Sequence, residues 1–124
     1  MLILIAHGSR DGRWRASVEE MVGPLQQDLG ADRVRIAYMD LSPPTLLDVA
    51  SEAVRSGATT LRVLPLFFAA EGHVERDVAP LVEEVRRTLD GVEVTLLPPV
   101  GQHPEFRDAL RDIARRTDGR REGP

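Results

Sequence analysis

The chain contains no cysteine, so it forms no disulfide, offers no thiolate nucleophile and builds none of the sulfur-ligated sites that hold structural zinc. Any metal chemistry has to use nitrogen and oxygen ligands, and the absence of cysteine fits a reducing compartment. Positive charge is not in excess either. Sixteen basic residues against twenty acidic ones leave a formal net charge of −4, which argues against a domain-wide basic field for nucleic acid or an anionic membrane surface. An anionic ligand would need a local site. No run approaches the ~20 apolar residues of a membrane span, and the apolar start Leu2–Ala6 is too short for a signal-peptide core and lacks a basic leader. The expectation is a cytoplasmic protein that engages neither nucleic acid nor membrane.

What is present is ordinary for a globular domain: 42% hydrophobic and 29% charged residues over 124 positions. A chain of this size supports one core, burying roughly two thirds of its unfolded surface. Residues 1–116 read as one domain, and residues 117–124, rich in Arg, Gly and Asp, as a flexible tail.

Short β-rich runs alternate with helical patterns, which predicts an α/β fold: a single three-layer domain with a four-stranded, mainly parallel sheet and helices on both faces. The predicted strands are Leu2–Ala6, Arg33–Met39, Thr60–Leu64 and Val92–Leu97. Trp14, Val18, Met21, Val22, Leu25 and Leu29 mark one helical face, and Val74, Val78, Leu81, Val82, Val85 and Leu89 repeat its spacing. Two shorter stripes follow, Leu46, Leu47, Ala50, Ala53 and Val54, then Phe106, Ala109, Leu110, Ile113 and Ala114. Ser42 before Pro43 reads as an N-cap, as does His103 before Pro104, while Gly30, Gly57 and Gly91 read as helix ends. Pro65 should end the third strand at Leu64, because a central strand cannot spare a backbone donor. That leaves Phe67 and Phe68 in a connection, either covering a pocket or packing in the core.

Small doubly wound sheets place the first and third strands side by side and bind ligands beyond their carboxyl ends, where the chain reverses direction. His7 follows the first strand and His73 the third, so two of the three histidines in the chain should face one crevice. Either alone would serve as a hydrogen-bonding turn residue. Together, with Glu71 and Glu75 near the second, they make an open site for a divalent metal held loosely enough to be released. Arg10, Arg13 and Arg76 are surface charges individually; as a group near the crevice they suit a carboxylate-bearing ligand.

Four blocks in order, LILIAHGSR, AYMDLSPPTL, PLFFAAEGHVERDV and LPPVGQHP, resemble the short sirohydrochlorin chelatases of the class II chelatase superfamily and cover nearly the whole chain except its tail. The resemblance implies a chelatase-like fold and insertion of cobalt, iron or nickel into a carboxylate-rich tetrapyrrole, without an organic cofactor, in a cobalamin or sirohaem type of biosynthesis. It places His7 and His73 as metal-binding and catalytic residues. Glu71 is then a helper that ligates, orients or relays protons, and Ser9, Arg10, Asp40 and Phe68 are candidates around the tetrapyrrole. Asp40 stands where relatives often carry glutamate and is taken as an outer group. An imidazole of unperturbed pKa about 6.5 can ligate an ion or accept a pyrrole proton near neutral pH. Larger members of the superfamily have two similar lobes around a cleft, so a chain of one lobe is expected to pair as a homodimer.

Two rivals use the same histidines. A histidine phosphatase would place a nucleophile at His7, but those enzymes usually carry arginine just before it and here Ala6 stands there. A non-catalytic metal or tetrapyrrole carrier would bind without turnover.

Overall fold

The computed structural model describes residues 1–68 and 74–119. Within them the chain runs β1 (Leu2–Ala6), α1 (Gly12–Leu29), β2 (Val34–Tyr38), α2 (Leu46–Arg55), β3 (Thr60–Pro65), a π-helical turn (Val74–Val78), α3 (Ala79–Thr88), β4 (Glu93–Leu96), a 3₁₀ turn (Val100–Gln102) and α4 (Pro104–Thr117). The four strands pair in parallel in the order β2-β1-β3-β4. β1 and β3 are therefore neighbours, as expected, and the chain reverses direction between them.

Alternation along β1 divides the core into two. Ile3 and Ile5 face α2 and α3, where Leu46, Val49, Ala50, Ala53, Val82 and Val85 close the larger cluster. Leu4 and Ala6 face α1 and pack with Val18, Val22, Val34 and Tyr38. Successive side chains leave a strand on opposite faces, so a strand covered on both must be apolar throughout, and β1 is.

Pro65 lies inside β3, opposite Ile5, rather than after its end. The reason is the direction of its missing N–H. Arg62 and Leu66 donate to Met1 and Ile5 on the β1 side, so by alternation residue 65 faces β4, whose last ladder pair is Leu96 with Val63. The missing donor therefore falls where pairing with β4 stops, and the bonds to β1 on either side of it, from Arg62 and Leu66, are kept.

The start of α2 also differs from expectation. Thr45, not Ser42, is the N-cap, and it forms a reciprocal capping box with Asp48. Ser42 is drawn into the loop after β1, described below. Asp11 caps α1 by accepting the Arg13 N–H, and the Arg13 guanidinium on the same carboxylate holds Asp11 below the usual carboxylate range and raises Arg13. Arg13 is thus a surface ion-pair residue. Gly30 and Gly57 terminate α1 and α2 at φ 106° and 101°, a region that side-chain-bearing residues avoid.

Two helical stripes are less buried than their periodicity predicts. In α1 only Val18 and Val22 are buried, and Met21 and Leu29 are 63% and 50% exposed. In α4 no residue is buried, with Leu110 and Ile113 about half exposed.

The Tyr38 ring is buried, yet its hydroxyl has no hydrogen-bond partner among the described residues. Burial pushes its pKa up, with Glu19 adding to the shift and Arg15 opposing it. Tyr38→Phe removes an unsatisfied polar atom and should raise unfolding free energy by about 1 kcal/mol in urea titrations. A group whose folded pKa is raised loses its contribution as pH climbs from the unfolded value, near 10, through the folded one. The sequence has a single tyrosine, no lysine and no cysteine, so the alkaline decline in stability of the parent should be flattened in the variant.

Candidate functional site

The carboxyl ends of β1 and β3 lie side by side, and backbone bonds carry the sheet past its last ladder pairs. Met39 donates to the Ala6 carbonyl and Leu66 to the Ile5 carbonyl, each at 2.8 Å. The loops after β1, β2 and β3 consequently leave the sheet side by side. His7 is the first residue beyond β1 and its side chain is 45% exposed.

Gly8 is what allows the first two loops to meet. A Cβ there would stand 1.8 Å from the Asp40 carbonyl oxygen and 2.9 Å from the Ser42 nitrogen. With no side chain in the way, the Gly8 N–H donates to Asp40 Oδ1 at 2.9 Å, while Asp40 Oδ2 lies 3.7 Å from His7 Nδ1. That separation exceeds a hydrogen bond but remains within charge–charge reach. One carboxylate thus grips the loop backbone and faces the imidazole.

A second clamp lies beside it. Ser42 Oγ accepts the Ser9 N–H at 2.9 Å and donates back to the Ser9 carbonyl. Ser9 Oγ accepts the Asp11 N–H at 3.0 Å, and the Trp14 indole N–H donates to the His7 carbonyl at 2.8 Å. The backbone of residues 7–11 is therefore held by side chains from both flanking elements. Sequence reasoning missed Ser42 and Trp14. The Ser-Pro-Pro-Thr run reads as a cap and Trp14 as part of an apolar stripe, so neither carries a signal of contact with the loop.

The loop after β3 supplies the aromatic wall. Phe67 packs its ring on His7 with centroids 5.0 Å apart and planes inclined by 50°. Phe68 is 79% exposed and meets Phe106 of α4 at 5.6 Å. The two readings of the pair thus divide: Phe67 is half-buried and Phe68 points to solvent. Phe68, Gly101, Phe106, Arg107 and Leu110 line a hollow of about 320 Å³. Gly101 donates to the Phe67 carbonyl at 2.9 Å, tying the β4 loop to this wall. His103, the third histidine, is the N-cap of α4 and its ring nitrogen Nε2 lies 2.9 Å from the Pro98 carbonyl, a helix-start role as expected.

Of the candidate residues, the structure brings His7, Ser9 and Asp40 together, with Phe67 against the His7 ring. Arg10 is exposed one residue beyond Ser9, and Phe68 lies on the outer side of the aromatic wall. Glu71 and His73 lie outside the described residues. Among the described residues no group of three or more metal-capable side chains occurs; His7 and Asp40 make a pair.

A family model described as CbiX matches residues 1–117. Sirohydrochlorin cobaltochelatase from Sulfurisphaera tokodaii is 25% identical over 111 residues, covering 90% of this chain and 88% of that protein. The chloroplastic sirohydrochlorin ferrochelatase of Arabidopsis thaliana is 28% identical over 111 residues, but the match spans 90% of this chain and only 49% of the plant protein. Among solved structures, one described as a CbiX protein of cobalamin (vitamin B12) biosynthesis from Marinobacter aquaeolei VT8 superposes with a TM-score of 0.82 at 34% identity, covering 93% of both chains. The sirohydrochlorin chelatase SirB of Bacillus subtilis subspecies spizizenii, in complex with cobalt, gives 0.78 at 20% identity over 94% of this chain and 50% of that one. At that identity the likeness is one of fold. The chain thus spans about half of the plant ferrochelatase and of SirB, and most of the archaeal relative.

Proposed function

The chain belongs to the CbiX family, and from that premise we propose that it is a sirohydrochlorin chelatase, inserting a divalent metal ion into the tetrapyrrole. The observation that carries the reading is His7, presented at the crevice where the sheet reverses and set 3.7 Å from the Asp40 carboxylate.

Insertion requires the macrocycle to lose two pyrrole protons as the ion enters, and the ion to shed part of its water. His7, acting with His73 and Glu71, takes the ion or a pyrrole proton. When the ring of His7 becomes cationic, the new charge forms beside Asp40, which offsets it without touching the substrate; Asp40 is a positioning residue here. Phe67 limits the ring's rotation. Ser9 and Arg10 lie on the loop that would meet the pigment's carboxylates, and exposed Phe68 offers a flat apolar surface to the macrocycle.

Cobalt and iron head the metals to test, with nickel beside them, because imidazole and carboxylate accept several first-row ions. The reading takes residues 1–116 as the chelatase-like domain, residues 117–124 as a tail, the reaction as free of organic cofactors and the protein as cytoplasmic. It also takes the working form as a homodimer: the chain matches only half of SirB, so a second copy would supply the opposite wall of the cleft.

The test is anaerobic incubation with sirohydrochlorin and Co²⁺, Fe²⁺ or Ni²⁺, following pigment absorbance. Insertion faster than with metal and pigment alone is the expected result. Tight binding of either with no gain in rate would replace the enzyme with a carrier.

A further inference from the structure

Tryptophan occurs once in the chain, at position 14, and its side chain does not go into the core. Val18, one turn later in the same stripe, is 2% exposed, whereas Trp14 is 45% exposed. A large aromatic side chain buries up to ~250 Å² when enclosed, so Trp14 leaves on the order of 100 Å² in water. Helical side chains lean toward the N-terminus of their helix. From the first turn of α1 the indole therefore reaches back over the loop of residues 7–11, where its N–H donates to the His7 carbonyl at 2.8 Å. That bond uses one edge of the ring and fixes its orientation. It does not account for the ring surface left open beside the histidine.

The aromatic side chains on either side of His7 come from opposite faces of the sheet. Phe67 packs against the core cluster of the α2–α3 face and sets its ring on the imidazole. α1, which carries Trp14, covers the other face. His7 stands between them where β1 ends, and exposed Phe68 continues the wall beyond Phe67.

We infer that Trp14 is a substrate-contact residue: its open indole surface packs against a flat, conjugated macrocycle laid across His7, and its bond to the His7 carbonyl fixes how far the histidine stands from that macrocycle. This rests on the chelatase reading and adds a contact to it. The chemistry of the pigment is what suits an indole. A tetrapyrrole is planar and apolar at its centre and carries its carboxylates at the rim, so a cation such as Arg10 recognises only the rim. The centre calls for an aromatic surface, which attracts another through offset stacking or edge-to-face contact and gains further from the apolar area removed from water. Phe67 already has its ring on the imidazole. Trp14 is the exposed aromatic side chain that is hydrogen-bonded to the loop carrying His7.

Measurements on the full chain test this. The dissociation constant for sirohydrochlorin, from absorbance titration without metal, should rise roughly tenfold in Trp14→Leu, which removes the flat surface, and stay within about threefold of the parent in Trp14→Phe, which keeps an aromatic ring and loses the donor. In insertion assays KM for the pigment should follow the same division, while kcat falls alike in both variants because neither holds the His7 carbonyl. With one tryptophan in the chain, protein of unaltered sequence carrying fluorotryptophan gives a single fluorine resonance, and the ring current of bound pigment should move it. A parent that neither binds sirohydrochlorin nor inserts metal overturns the chelatase reading and this inference with it. A parent that does both, while its fluorine resonance stays in place and Trp14→Leu keeps the parent's dissociation constant, leaves the chelatase reading standing and overturns the Trp14 contact. Equal weakening in Trp14→Leu and Trp14→Phe also overturns it, since the bond to His7 would then be the residue's whole contribution.

Discussion

His7→Ala should lower the rate of metal insertion by a factor of about 10² or more, the scale of removing a positioned acid–base group, with little change in unfolding free energy. The two expectations separate because the histidine's anchorage is in its backbone. Its carbonyl is held by Trp14 and the following N–H by Asp40, and alanine keeps both. The side chain is 45% exposed and contributes its packing chiefly against Phe67. Anaerobic absorbance kinetics on the variant, paired with urea titration, reads both quantities. Unchanged insertion with unchanged stability would remove His7 from the chemistry.

Gly8→Ala should pull apart the loops after β1 and β2. Its Cβ would need the space of the Asp40 carbonyl, 1.8 Å away, and would crowd the Ser42 nitrogen at 2.9 Å. These are backbone atoms of the neighbouring loop, so no rotamer change relieves them. We expect a loss of at least about 3 kcal/mol, at or beyond the upper end of ordinary overpacking, together with loss of insertion activity as the Asp40–His7 pairing is pushed apart. Gly23→Ala is the contrast. It lies inside α1 with nothing beyond its chain neighbours within 4 Å of the added carbon. The Pro24 ring that follows disfavours a helical residue bearing a Cβ, while the lost backbone freedom of the unfolded chain acts the other way, so unfolding free energy should change by less than about 1 kcal/mol. Chemical denaturation of the two variants side by side decides the matter; equal midpoints would show that the loops after β1 and β2 do not approach as closely as described.

Much of the fold is legible because its signals are local and periodic. An apolar pentad at Leu2–Ala6 makes a strand covered on both faces, and the spacing Leu46, Ala50, Ala53 makes a helix with one buried stripe. Proline misleads at position 65, since whether a missing donor matters depends on the neighbouring strand's length. The Ser42 cap fails for a related reason: a serine hydroxyl bonds to whichever backbone comes within reach, and the Ser9 amide, 33 positions away, does. Helical periodicity states that a face is apolar without stating what covers it, so the stripes of α1 and α4 predict more burial than the two helices have.

The site divides along the same line. The sequence by itself determined that His7 stands at the end of a buried strand, because strand burial and the polar break after Ala6 are properties of consecutive residues. It also determined the family, through four ordered blocks that the CbiX match over residues 1–117 now supports. Only the tertiary structure decided that Asp40 serves both Gly8 and His7, that Ser42 and Trp14 hold the loop, and that Phe67 rather than Phe68 lies on the imidazole. Those contacts join positions separated by 7 to 60 residues, and their existence depends on a strand order and a glycine gap that distances along the chain do not encode.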